Sequence, residues 1–175
     1  DGALGNVLEL YEDKPLSDDA WNVDSFYTEK MRILDASPKV TLEEAGELLA
    51  RLRFIYRFGD SSVEQDMILY RDSLRIDFDT RVHWEESHKL LKTAFYTDIR
   101  SVKASYDIQF GYAERPTQAN TSWERAKFEV CAQKWADLSE HGYGVSLLND
   151  SKYGYSIREN AMKLSLLRCF PMRAM

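Results

Sequence analysis

Apolar residues recur at every second position through much of this chain, most clearly between Leu74 and Trp84. Leu74, Ile76, Phe78, Val82 and Trp84 fall on one side, and Arg75, Asp77, Asp79, Arg81 and His83 on the other. A period of two marks a half-buried antiparallel strand. The run Val63–Tyr70 precedes it across Arg71-Asp72-Ser73, a break of hairpin size, and Gly59-Asp60-Ser61-Ser62 supplies an equivalent turn before Val63. Further strands are predicted at Leu90–Thr97, Val102–Phe110, Phe128–Val130, Tyr143–Leu148 and Met162–Arg168, with a strand approach at Val7–Tyr11. Short strands at this spacing, with little helix between them, predict an all-β chain folded as an antiparallel β-sandwich.

One segment carries two patterns. Thr41-Leu42-Glu43-Glu44 has the form of a helix capping box, and Leu42, Ala45, Leu49, Leu52 and Tyr56 follow at helical spacing. The same stretch alternates as Leu48, Ala50, Leu52, Phe54, Tyr56 and Phe58 against Arg51, Arg53 and Arg57, and Gly46 weakens a helix there. We read two strands joined near Glu43–Gly46. No repeat, low-complexity tract or linker interrupts the chain, so residues 1–175 are expected to form a single β-sandwich domain. Its opening at Asp1, on a strand approach, and its uncapped end, Cys169–Met175, suggest a piece of a larger protein.

Composition is that of a globular protein, 44% hydrophobic and 30% charged. A net charge of −6 without a basic cluster argues against nucleic acid or an anionic membrane as partner. No apolar run approaches the roughly 18 residues of a membrane helix, and no signal peptide opens the chain. Cys131 and Cys169 suit two reduced thiols, and a cytoplasmic setting is expected. In that setting Asn120-Thr121-Ser122 is a chance match to a glycosylation sequon.

Little of the usual catalytic chemistry is encoded. His83 and His88 are five residues apart and do not share a strand face, while His141 stands beside Gly142 in a turn. We assign none of them to a metal, and no catalytic residue is proposed. Asp24, Asp137, Glu140 and Asp150 are carboxylates among aromatic and polar residues, but sequence cannot pair them as glycoside hydrolysis requires. Two stretches are candidates to face a ligand. In Asn149-Asp150-Ser151-Lys152-Tyr153-Gly154, the glycine permits close backbone approach, while Asn149, Asp150, Lys152 and Tyr153 could bond hydroxyls. In Ala20–Tyr27, Trp21 and Asp24 offer a flat apolar face and an acceptor.

Between Arg115 and Gly154 the chain is rich in Trp, Tyr, Asn and Asp, through Asn120–Arg125, Trp135–Glu140, Gly142–Val145 and Leu147–Gly154. Together with Glu9–Leu16, Leu69–Ser73, Arg75–Phe78, His88–Lys92 and Tyr106–Gly111, this order resembles the carboxyl-terminal β-domain of glycoside hydrolase family 38 α-mannosidases, in the cytosolic and bacterial branch. The resemblance implies part of a galactose mutarotase-like supersandwich. It implies a parent that is a retaining, zinc-dependent exo-α-mannosidase acting on mannose-containing oligosaccharides. In that family the zinc and nucleophile motifs lie upstream, so no cofactor is expected in this piece, and its partners would be the amino-terminal catalytic domains. Asp18-Asp19-Ala20-Trp21-Asn22 and Ser151 depart from residues the family commonly carries. A free-standing carbohydrate-binding module and a purely structural scaffold are the alternatives. Apolar edges severed from such a supersandwich would favour self-association as a homo-oligomer.

Overall fold

The computed structural model describes residues 5–18, 21–34 and 37–169, and strands dominate it. Fourteen lie among those residues. They are β1 (Val7–Glu12), β2 (Met31–Ile33), β3 (Lys39–Ala45), β4 (Leu49–Phe58), β5 (Ser61–Tyr70), β6 (Ile76–His83) and β7 (Lys89–Tyr96). There follow β8 (Lys103–Ile108), β9 (Gly111–Pro116), β10 (Val130–Cys131), β11 (Trp135–Glu140), β12 (Tyr143–Leu148), β13 (Gly154–Arg158) and β14 (Ala161–Cys169). One 3-10 turn, Ser25–Glu29, and one short helix, α1 (Ser122–Ala126), complete the list. Every ladder is antiparallel, as the alternation predicts.

The chain divides into two compact units, Leu34–Ser87 and the described residues on either side of it. No glycine- or serine-rich linker marks either junction in the sequence.

The outer segments form a sandwich of two sheets, in the orders β10-β13-β14-β7-β1-β2 and β12-β11-β8-β9. Met162 stands opposite Phe95, and Tyr155 opposite Leu164, so one face of the larger sheet presents these residues together. They meet Ala104, Tyr106, Ala136 and Leu138 of the smaller sheet in the principal core. Leu138 and Met162 are wholly buried, and each such side chain contributes about 1.5–3 kcal/mol relative to exposure. Tyr106 and Tyr155 meet edge to face with ring centres 6.3 Å apart. The β11–β12 hairpin turns through His141 and Gly142, whose φ of +85° suits glycine.

The inner segment is a meander, β3-β4-β5-β6. Leu52, Phe54 and Tyr56 lie opposite Met67, Gln65 and Val63, which in turn oppose Phe78, Thr80 and Val82. The other face carries charge. Arg53 grips the buried Asp66 directly across the ladder with two hydrogen bonds of 2.7 and 2.8 Å. Alternation therefore decides this segment against the helical reading, although the strands join at residues 46–48, slightly later than expected.

Between Arg115 and Gly154 the aromatic-rich stretches are more regular than loops. Trp135–Glu140 is an interior strand, and the predicted strand at Phe128–Val130 shrinks to the two residues Val130 and Cys131. Asn120-Thr121-Ser122 is occupied in starting α1: the Thr121 hydroxyl accepts from the Glu124 amide, and Glu124 accepts from the Thr121 and Asn120 amides. Asp19, Ala20 and Phe170–Met175, on which sequence expectations also fell, lie outside the described residues.

Candidate functional site

The face of the larger sheet turned away from the sandwich core carries charged and tyrosine side chains that are nevertheless buried. Alternation along β1 puts Glu9 and Tyr11 on this face, and the register sets Glu9 opposite Lys92 of β7. Glu9 and Lys92 are both inaccessible to solvent. The Tyr11 and Tyr96 hydroxyls each donate to the Glu9 carboxylate at 2.5 Å. Lys163 Nζ lies 2.9 Å from Glu9 Oε2 and donates to the Tyr11 hydroxyl at 3.0 Å. Burial pushes the Glu9 carboxyl up, but the Tyr11, Tyr96 and Lys163 donors outweigh it and hold the group below the usual carboxylate range.

A second cluster adjoins the first. Lys92 Nζ donates to Glu129 and, at 3.3 Å, to the Tyr27 hydroxyl, which itself donates to Glu129 at 2.5 Å. Tyr11 and Tyr27 meet edge to face at 5.0 Å and so join the clusters. Burial pulls the Lys92 ammonium below its ordinary value, and the Glu129 carboxylate offsets this only in part. Burial and the neighbouring carboxylates push the Tyr11 and Tyr27 hydroxyls well above theirs. Both carboxylates are engaged by donors and both phenols hold their protons. The arrangement ties β1, β7 and β14 together through hydrogen bonds to the buried Glu9 and Tyr11.

One residue from each of the two stretches singled out from sequence approaches Glu129. Tyr27, just after Trp21 and Asp24, bonds it directly, while a Cβ at Gly154, just after Tyr153, would lie 4.0 Å from Glu129 Oε2. The candidate residues themselves divide by role. Asp24 accepts from the Leu16 amide at 2.8 Å, and Arg168, paired with the buried Asp13, donates to the Asn22 carbonyl, so both tie their loop down. Asn149 holds its turn, donating to the Gln133 carbonyl at 3.2 Å and to the Tyr155 hydroxyl, and accepting from the Lys152 amide at 2.5 Å. Trp21, Asp150, Lys152 and Tyr153 have exposed side chains, and Asp150 Oδ1 lies 3.6 Å from Lys134 Nζ. Among the other carboxylates, Glu140 accepts from the Arg100 amide at 2.9 Å, and Asp137 accepts from two serines on the smaller sheet.

Sequence reasoning missed Glu9, Lys92 and Glu129. A signal was available for two of them: Glu9 and Lys92 are charges of opposite sign inside the apolar runs Val7–Tyr11 and Leu90–Ala94, where only paired charges survive burial. No three His, Cys, Asp or Glu side chains converge on a metal-binding geometry among the described residues. The zinc that the resemblance implies has no donor set there.

The Glu9 carboxylate makes a testable contribution to stability. Its folded pKa is depressed, so its contribution is complete above the ordinary value of 4.5 and is lost as pH falls below it. Denaturation midpoints of Glu9→Gln should therefore fall less than those of the unaltered protein between neutral pH and about pH 3. Equal acid sensitivity of the two would show that Glu9 carries no such linkage.

Comparison with known proteins gives this geometry a context. The model of the "Glycosyl hydrolases family 38 C-terminal domain" matches residues 1–172. The chain belongs to this family. Among related proteins, alpha-mannosidase G of Dictyostelium discoideum is 47% identical over 174 residues, covering 96% of this chain and 16% of that protein. Human alpha-mannosidase 2C1 is 43% identical over 170 residues, with the same two coverages. The family 38 C-terminal domain described here thus spans about a sixth of the length of these relatives. In fold it resembles an alpha-mannosidase from Enterococcus faecalis V583, with a TM-score of 0.78 at 14% identity over 95% of this chain and 22% of that one. No helix among the described residues is long and apolar enough to cross a membrane.

Proposed function

We propose that this family 38 domain is the carboxyl-terminal part of a retaining, zinc-dependent exo-α-mannosidase of the cytoplasm that acts on terminal mannose in oligosaccharides. The observation that carries the reading is the family match over residues 1–172, joined to relatives that are themselves alpha-mannosidases. Zinc and the reacting carboxylates would come from the rest of the protein, upstream of this domain, as the family resemblance implies. The role of this domain is then to bind and position. Its buried Glu9–Lys92–Glu129 network holds the segment that carries Glu129 in place, and the loops near Glu129 border the substrate cleft with Lys152 and Tyr153.

In the full-length protein, release of mannose from an aryl α-mannoside should be abolished by chelation and restored by zinc. Lys152→Ala or Tyr153→Ala should raise KM for a mannose-terminated oligosaccharide about tenfold, with a smaller effect on kcat, the loss of one sugar contact. Unchanged KM in both variants would reduce the domain to a scaffold, whereas absence of mannoside hydrolysis would overturn the enzymatic reading itself.

A further inference from the structure

The outer face of the smaller sheet, opposite the sandwich core, carries a shallow, open depression of about 430 Å³ lined by Ser105, Tyr112, Glu114, Trp135, Asp137 and Ser146. Its composition follows from strand register. Glu114, Ser105, Asp137 and Ser146 stand directly opposite one another on β9, β8, β11 and β12, a polar row across all four strands. Two residues along, on the same face, come Tyr112 of β9 and Trp135 of β11. With one strand between them, the two aromatic positions are about 10 Å apart.

Each part of this surface has a definite chemistry. The two Asp137 oxygens accept from the Ser139 and Ser146 hydroxyls at 2.6 Å each, which fixes the carboxylate while leaving further lone pairs for a ligand. Glu114 is held by Lys103 at 2.9 Å. Room for the Ser139 hydroxyl depends on Gly144, where a Cβ would collide with it. Tyr112 is 62% exposed although it shares a sheet face with other ordered side chains. Flat apolar faces beside oriented carboxylate and hydroxyl acceptors suit a ligand with apolar C–H faces and a rim of hydroxyl donors. The acidic row disfavours anionic ligands.

We infer that this face is a second, non-catalytic carbohydrate site, which takes a neutral hexopyranose-containing oligosaccharide by stacking on Tyr112 and Trp135 and hydrogen bonding to Asp137. Trp135 stands opposite Leu148, at the base of the turn Asn149–Gly154, but the inference does not use that turn's residues, and it holds whether or not the whole protein hydrolyses mannosides.

Native gel electrophoresis of the full-length protein tests it, with soluble mannan or amylose cast into the gel. Mobility should fall in at least one polysaccharide relative to a sugar-free gel, and the responsive gel identifies the sugar. Tyr112→Ala and Trp135→Ala should each weaken that retardation about tenfold. Tyr112 is exposed enough for its variant to keep the parent melting temperature even if Trp135→Ala unfolds. Retardation in neither polysaccharide, or retardation that survives Tyr112→Ala, would overturn the inference. The latter result would place any sugar binding elsewhere in the protein.

Discussion

Lys92→Ala is expected to destabilise the sandwich by about 3–5 kcal/mol, the cost of removing one partner from a buried ion pair. Lys92 is inaccessible to solvent, and its ammonium serves both the Glu129 carboxylate and the Tyr27 hydroxyl. Without it, Glu129 keeps only a phenol donor for a charge that is four-fifths covered. Lys92→Met would preserve most of the packing and isolate the loss of charge. Adding Glu129→Gln to that variant should recover part of the stability, because a neutral pair is cheaper to bury than a lone carboxylate. Urea denaturation of the full-length protein, followed by a probe in this unit, reads the series. A loss below about 1 kcal/mol for Lys92→Ala would show that the buried pair only breaks even.

Tyr155→Ala should have a comparable effect for a different reason. The ring is wholly buried against Tyr106 in the principal core, so its removal leaves a cavity costing about 3–5 kcal/mol. Tyr155→Phe keeps the ring and loses only the bond from Asn149, a cost of about 1 kcal/mol. The comparison also bears on function, because Asn149 shapes the turn that presents Lys152 and Tyr153. In Tyr155→Phe that turn should lose protection from amide exchange at Lys152 while the core stays intact. If Phe and Ala prove equally damaging, the hydroxyl rather than the ring carries the stability.

Sheet-forming segments with one wet face were legible in the sequence. The alternation at Leu74–Trp84 and Leu48–Phe58 corresponds to β6 and β4, because each strand there has a charged face that interrupts the apolar one. Segments whose faces are not so contrasted were harder to read. Trp135–Glu140 turns Trp135, Asp137 and Ser139 outward and only Leu138 and the small Ala136 into the core, so its apolar face is short and the pattern predicts no strand there. Thr-x-x-Glu shows how little a local signature decides alone. At Thr41–Glu44 it lies within β3, because the alternating residues beyond it form β4 and pair back onto it. At Thr121–Glu124 no alternating run competes, and the capping box forms. The Glu9 network could not be assembled from sequence at all, since Lys163 and Glu9 are 154 residues apart and meet only through strand order.

The placement of residues 34–87 between β2 and β7 also sets the sequence of events during synthesis. The meander β3-β4-β5-β6 pairs only neighbours along the chain, so all its ladders can close as soon as those residues leave the ribosome. Strand β1 emerges before the meander yet waits for β7, and β7 in turn for β14, before its backbone is matched on either side. Until β14 is made, Glu9 has the Tyr11 and Tyr96 hydroxyls but lacks the Lys163 ammonium, and β7 keeps one edge unmatched.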